Sequence, residues 1–219
     1  MKVFDGLYAF LWNSMSANNC NTYLIDGPKK VLIDPGHLHL FDHVADGLKQ
    51  LGLALSDIDL VLVTHAHPDH FEAVKLFKDQ PARLGISSED WLLLQEIGRY
   101  MGPAFDRGAY EPDFFLDGDN LEAEGVNMQM FRTPGHSLGS VSLFWPGEKA
   151  LFTGDVLFRD GLGRTDLPGG NGESLKKSIM GLSSLDAEWL LPGHGDIVSG
   201  AAQVKANFKR VEEVWFAYI

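Results

Sequence analysis

Residues 61 to 73 read VLVTHAHPDHFEA, and the six positions from His65 to His70 hold three imidazoles and a carboxylate: His65, His67, Asp69 and His70. Each is costly to bury unless something pairs with it. The run before them is apolar and β-branched, the composition of a buried strand. Alternate side chains of an extended segment share a face, so His65 and His67 converge on one point. Pro68 keeps His67 out of the helical region and suits the first turn of a following helix. Asp69 and His70 then lie where the chain turns into that helix, aimed differently from the first pair. One short stretch can thus serve two neighbouring metal ions, and its density and strand-end position fit metal-ligand chemistry.

Neither ion is complete with these groups alone. Three further strand-end loops each offer one ligand-type residue behind a glycine: His136 in RTPGHSLGS, Asp155 in LFTGDVLF and His194 in LLPGHGD. The small neighbours let backbone crowd close to a centre. Together the candidates make five imidazoles and two carboxylates. The remaining histidines His37, His39 and His43 stand apart from this pattern, and a lone loop histidine is ordinarily solvated or a satisfied polar contact. Cys20 reads as a structural thiol, because nothing nearby marks it as activated.

The elements that must position these groups can be read from periodicity. NTYLIDG and KKVLIDPG, joined by the turn signal GPKK, form a hairpin, after a strand-like opening KVFDGLYAFLW. A helix fits residues 40 to 51, with Gly52 closing it. IDLVLVT is apolar throughout and suits a central strand. FEAVKLFKD is helical, ARLGIS is a short strand, and Ser87 or Ser88 caps a helix through EDWLLLQEIGRY. The second half repeats the strand theme in VNMQMFRTPG, GSVSLFWPG and KALFTGDVLF. A helix near 173 to 183, the strand AEWLLPG and a last helix follow. That last helix carries Val204, Phe208, Val211, Trp215 and Tyr218 as one packing face. Strands fall in two groups, each trailed by helices, which predicts two sheets packed face to face with helices outside. The segment Gly98 to Pro112 has no clear period but several aromatics, and is expected to form an irregular flap.

Composition narrows the function. The 219 residues, 45% of them hydrophobic, suffice for one domain spanning 1–219. A formal net charge of −12 disfavours nucleic acid and anionic membranes as partners. One cysteine excludes an internal disulfide framework, and no stretch has the length of a membrane helix or the architecture of a signal peptide. The expectation is a soluble cytoplasmic protein acting on a small molecule.

THAHPDH, PGHS, GD and PGHG, in this order from 65 to 194, resemble the motifs of the metallo-β-lactamase superfamily across nearly the whole chain. The resemblance implies an α/β fold, the four-layer αββα sandwich, with the site at one edge of its sheets. It also implies that His65, His67 and His136 hold a first metal, that Asp69, His70 and His194 hold a second, and that Asp155 bridges them. Asp69 and Asp155 would be the catalytic carboxylates, and Asp34 in LIDPGH would orient a ligand histidine. GDVLFRDGLGRTDLPGG (154 to 170) is similar to the stretch after the bridging aspartate in glyoxalase II-like hydrolases, which cleave S-acylglutathione thioesters. Only 25 residues follow His194, so the chain looks like the shorter members that lack a carboxy-terminal, glutathione-binding helical domain. Within the same stretch Arg164 and Asp166 are expected to pin the loop beneath the site by an internal ion pair.

A donor set of nitrogen and oxygen without thiolate suits two divalent ions: zinc first, with iron and manganese also fitting. The expected reaction is thioester hydrolysis, a metal-bound hydroxide attacking a carbonyl carbon. The rival expectations are a mononuclear-iron oxidoreductase resembling the persulfide dioxygenases, and a non-catalytic binding protein.

Overall fold

Asp5 and Gly6 form a turn that splits the first apolar run into two strands, β1 (Lys2–Phe4) and β2 (Leu7–Phe10), where the sequence had read as one strand-like segment. Gly6 takes the left-handed backbone this turn needs, at φ 86°. The computed structural model describes residues 1–14, 16–101, 111–123 and 126–219. Within it the backbone groups into two compact units, Met1–Leu116 and Asp117–Ile219.

The first unit continues with the expected hairpin, β3 (Thr22–Asp26) and β4 (Lys30–Ile33), then a 3-10 turn at Leu38–Leu40 and helix α1 (Asp42–Gln50). Strand β5 (Leu60–Leu62) is buried throughout, as its unbroken apolar run requires, and runs parallel to β4 on one side. Helix α2 (Pro68–Phe71) passes into a 3-10 stretch, Glu72–Phe77, so the expected helix after the histidines is one α turn plus a tighter one. Strand β6 (Arg83–Ile86) lies parallel on the other side of β5; α3 (Ser88–Met101) and β7 (Phe114–Phe115) complete the unit. Ser87 caps α3, its Oγ accepting from the Asp90 N–H at 3.3 Å. The strands form one seven-stranded mixed sheet in the order β1-β2-β3-β4-β5-β6-β7, antiparallel up to β4 and parallel from there. Leu24, Leu32 and Val61 of the sheet share one core with Val44 and Leu48 of α1 and with Trp91 of α3. Burying each such aliphatic side chain contributes roughly 1.5–3 kcal/mol. Most of the expected flap, 98 to 112, lies outside the described residues; its first four positions continue α3.

The second unit holds β8 (Asn120–Ala123), β9 (Val126–Arg132), β10 (Val141–Trp145) and β11 (Ala150–Gly154). After them come a small hairpin of β12 (Leu157–Phe158) and β13 (Gly161–Leu162), helix α4 (Gly172–Leu182), β14 (Trp189–Pro192), β15 (Val198–Ser199) and helix α5 (Ala201–Trp215). Its six-stranded sheet runs β15-β14-β11-β10-β9-β8, with β11 and β14 the parallel pair. Leu175, Ile179 and Leu182 of α4 and Val204, Phe208 and Val211 of α5 pack into one core with Leu151 and Leu190. The apolar face expected on α5 stops at Val211. Trp215 is 39% and Tyr218 79% exposed, and the Trp215 indole N–H donates to the Asp160 carbonyl at 2.7 Å instead of entering the core. An indole N–H needs such a partner, and it is Phe216 and Ile219 that pack against the core beyond Val211. No helix among the described residues is long and apolar enough to cross a membrane.

Candidate metal centre

In the first unit, every residue singled out around THAHPDH sits at the carboxyl ends of the parallel strands, the end at which open α/β sheets bind ligands. Asp34 follows β4 and Thr64 follows β5, and the pairing of those strands sets them side by side. The Asp34 carboxylate, buried to 2% exposure, accepts from the Thr64 N–H at 2.8 Å, from the Thr64 hydroxyl at 2.7 Å and from His70 Nδ1 at 2.9 Å. The Thr64 proton being given to Asp34, its oxygen is left to accept from His65 Nδ1 at 3.2 Å. One carboxylate therefore fixes two imidazoles, His70 directly and His65 through a hydroxyl. In both rings Nε2 becomes the atom available to a metal. The ring centroids of His65 and His70 stand 4.0 Å apart and those of His65 and His67 4.8 Å, so all three imidazoles of the motif converge.

Two residues that sequence reasoning missed complete this half. Asn18 Nδ2 donates to Asp69 Oδ2 at 2.6 Å, orienting that carboxylate. Asp90, fully buried in the first turn of α3, accepts the N–H of Ala66 at 2.7 Å and so holds the peptide between His65 and His67. The parallel partnership of β5 and β6 brings α3 to the histidine loop, which no local pattern announces. Cys20 is buried, and its thiol donates to the Asp34 carbonyl at 3.4 Å, a structural role as expected.

In the second unit the strand directions explain the clustering. β9 and β11 flank β10 antiparallel to it, and β14 runs parallel to β11, so β9, β11 and β14 all end at the same edge. His136, Asp155 and His194 follow those three ends. Asp155 Oδ2 lies 3.5 Å from His136 Nε2 and 3.3 Å from His194 Nε2. The Gly193 N–H bonds the Gly154 carbonyl at 2.8 Å, tying the His194 loop to the Asp155 loop. His136 donates Nδ1–H to the Arg164 carbonyl at 2.8 Å, which again frees Nε2. Gly163 permits this closure: a Cβ there would run into the Asp155 carbonyl oxygen and stand 3.1 Å from His136 Nδ1. Gly135, at φ 137°, likewise leaves no room for a Cβ against Leu175 of α4. Arg164 and Asp166 form the expected ion pair, bidentate at 2.7 and 2.6 Å, with both side chains mostly exposed. The Arg164 guanidinium holds the Asp166 carboxyl down to about 2.

The donor sets fit divalent metal. Ligand atoms on a shared ion with bonds near 2.1 Å stand about 3–3.5 Å apart. The 3.3 and 3.5 Å separations around Asp155 have that spacing and exceed the 2.7–2.9 Å of a tight charge-assisted hydrogen bond. The other imidazole nitrogens of His70, His65 and His136 are tied back to a carboxylate, a hydroxyl and a carbonyl respectively. Clusters of His and Asp of this kind are consistent with a binuclear metal site. His37 and His39 come near Glu72 in the first unit, and His43 donates Nδ1–H to the Leu40 carbonyl at 2.7 Å.

Two mixed sheets with flanking helices and His/Asp loops at their strand ends are the architecture of the metallo-β-lactamase fold. The family model described as the metallo-beta-lactamase superfamily matches residues 15–194, and the chain belongs to that superfamily. It is 32% identical over 193 residues to a probable metallo-hydrolase of Methanocaldococcus jannaschii, covering 81% of this chain and 88% of the relative. It is 31% identical over 199 residues to the hydroxyacylglutathione hydrolase GloC of Haemophilus influenzae, covering 86% and 91%. Among solved structures it is similar to TTHA1623 in a di-iron-bound form, with a TM-score of 0.70, 29% identity and coverage of 89% of this chain and 96% of that one. The chain is thus a probable metallo-hydrolase with the metallo-β-lactamase fold.

Proposed function

We propose that this chain is a metal-dependent thioesterase of the glyoxalase II-like type, acting as one domain over residues 1–219 on a small acyl-thiol substrate. The observation that carries the reading is the 31% identity to a hydroxyacylglutathione hydrolase along 86% of this chain. That alignment accompanies a complete set of seven His and Asp side chains. In this reading His65, His67 and His136 hold one ion, Asp69, His70 and His194 the other, and Asp155 both. Zinc is the first expectation, although a relative was solved with two irons. Bound divalent ions supply a Lewis acid for a carbonyl oxygen and lower the pKa of water towards ~7.

The chain's own residues do the rest. Asp34 fixes the rings of His65 and His70, and the Arg164 carbonyl fixes that of His136, so their Nε2 atoms need no reorganisation during turnover. Asp69, oriented by Asn18, and Asp155, set between two imidazoles, offer carboxylate oxygens to the proton of an attacking water. A thiol leaving group with a pKa near ~8.5 departs as thiolate with little acid assistance, so no general acid is required.

The test is hydrolysis of a panel of acyl-thiols by the purified chain. Activity is expected to vanish with chelator, return with added zinc, and fall by at least about 10³-fold in His65→Ala and in Asp155→Ala. Undiminished turnover in either variant would remove the assignment. Oxygen uptake with a persulfide, and no thioester cleavage, would move it to the oxidoreductase reading.

A further inference from the structure

We propose that His37, His39 and Glu72 form a second, peripheral zinc site, separate from the seven ligands above. Each of the three offers one ligand atom, and these atoms all lie within 4.8 Å of one another. His37 Nδ1 and Glu72 Oε2 share a hydrogen bond at 2.7 Å, which a bound ion would replace, and the His39 ring leans on that of His37 with centroids 5.0 Å apart. Two imidazoles and one carboxylate are a zinc donor set that leaves a fourth position to water.

The two carriers are held in place by backbone. The Gly36 N–H donates to the His70 carbonyl at 3.0 Å and the Ala73 N–H to the Gly36 carbonyl at 2.8 Å. The His37 N–H donates to Asn19 Oδ1 at 2.8 Å. These bonds cross-link the loop after β4 to the turn after α2, so His37 and Glu72 face each other before any ion arrives. Donors on a tetrahedral ion with 2.0–2.1 Å bonds stand about 3.3 Å apart. Reaching that asks the 2.7 Å contact of His37 with Glu72 to open by about half an ångström and His39, which is exposed, to swing in. The group carries one carboxylate against two imidazoles, so a divalent cation is its electrostatic complement. Without an ion the pair His37–Glu72 remains as a partly exposed contact worth little. With one, the loop is clamped to the segment that presents Asp69 and His70.

The experiment is a zinc titration of the full, metal-stripped chain without an affinity tag, in competition with a chromophoric chelator. His39→Gln is the variant, since it removes a ligand from an exposed position. The wild-type chain is expected to take up one zinc more than His39→Gln, with Glu72→Gln losing the same equivalent. Zinc-loaded His39→Gln should keep its hydrolase rate within about twofold. Equal zinc counts in wild type and His39→Gln overturn the proposal. So does a tenfold or larger loss of activity in His39→Gln, which would place the ion in the catalytic centre. The count difference reads independently of whether thioesters are the substrate.

Discussion

Asp34 is the residue on which the histidine loop turns. Its backbone is left-handed, at φ 53°, a conformation that asparagine tolerates. Asp34→Asn should therefore keep the turn while weakening the bonds to Thr64 and His70. Metal affinity is expected to fall roughly 10–100-fold, as for other residues that orient ligand imidazoles. Chelator competition measures this, and an unchanged affinity would show that the rings are held by other means. Asp166 behaves differently. Its carboxyl is held at about 2 by Arg164, against an ordinary 3.8, so the pair's contribution is full above pH 3.8 and is lost only as pH falls through about 2. Any acid limb of activity above pH 4 must then come from other groups, and Asp166→Asn should leave that limb in place in a pH–rate profile. The metal motif itself was legible because four donors fall within one turn of chain. Asn18 and Asp90 were not, since each meets its partner through tertiary pairing at long sequence separation.

At the scale of elements, strand direction gathers the donors. His136, Asp155 and His194 lie far apart in sequence but follow β9, β11 and β14, which end at one edge. The strands themselves were readable from their apolar runs. Which residues are buried was less so: the period of α5 continued through Trp215 and Tyr218, while beyond Val211 it is Phe216 and Ile219 that pack against the core. The helix after the histidines likewise forms as one α turn followed by a 3-10 stretch rather than as a continuous α-helix. A hydrophobic period reports which face is apolar, not which of its terminal residues reach the core. The loop from Asp155 to Arg164 depends on Gly163 packing without a side chain against the Asp155 carbonyl. Gly163→Ala should push that loop away from His136, lowering the unfolding temperature by several degrees and activity by about tenfold or more. Calorimetry with a rate measurement checks this; an alanine variant as stable and active as the parent would mean the loop yields without consequence.

For the whole molecule, membership of the metallo-β-lactamase superfamily was visible from the order and spacing of four motifs, and the family match over residues 15–194 shows it. Substrate choice was not, because ligand motifs report the metal chemistry and leave pocket shape unread. The central proposal is that His65, His67, Asp69, His70, His136, Asp155 and His194 hold two divalent ions. It is tested most directly by elemental analysis of protein carrying His39→Gln, which removes the peripheral site from the count, with and without Asp155→Ala. About two divalent ions per chain are expected in the first protein, and at least one fewer, with loss of thioester hydrolysis, when Asp155 is replaced. A metal content that does not change on removing Asp155, or a parent protein that takes up less than one ion from excess zinc, would contradict the account.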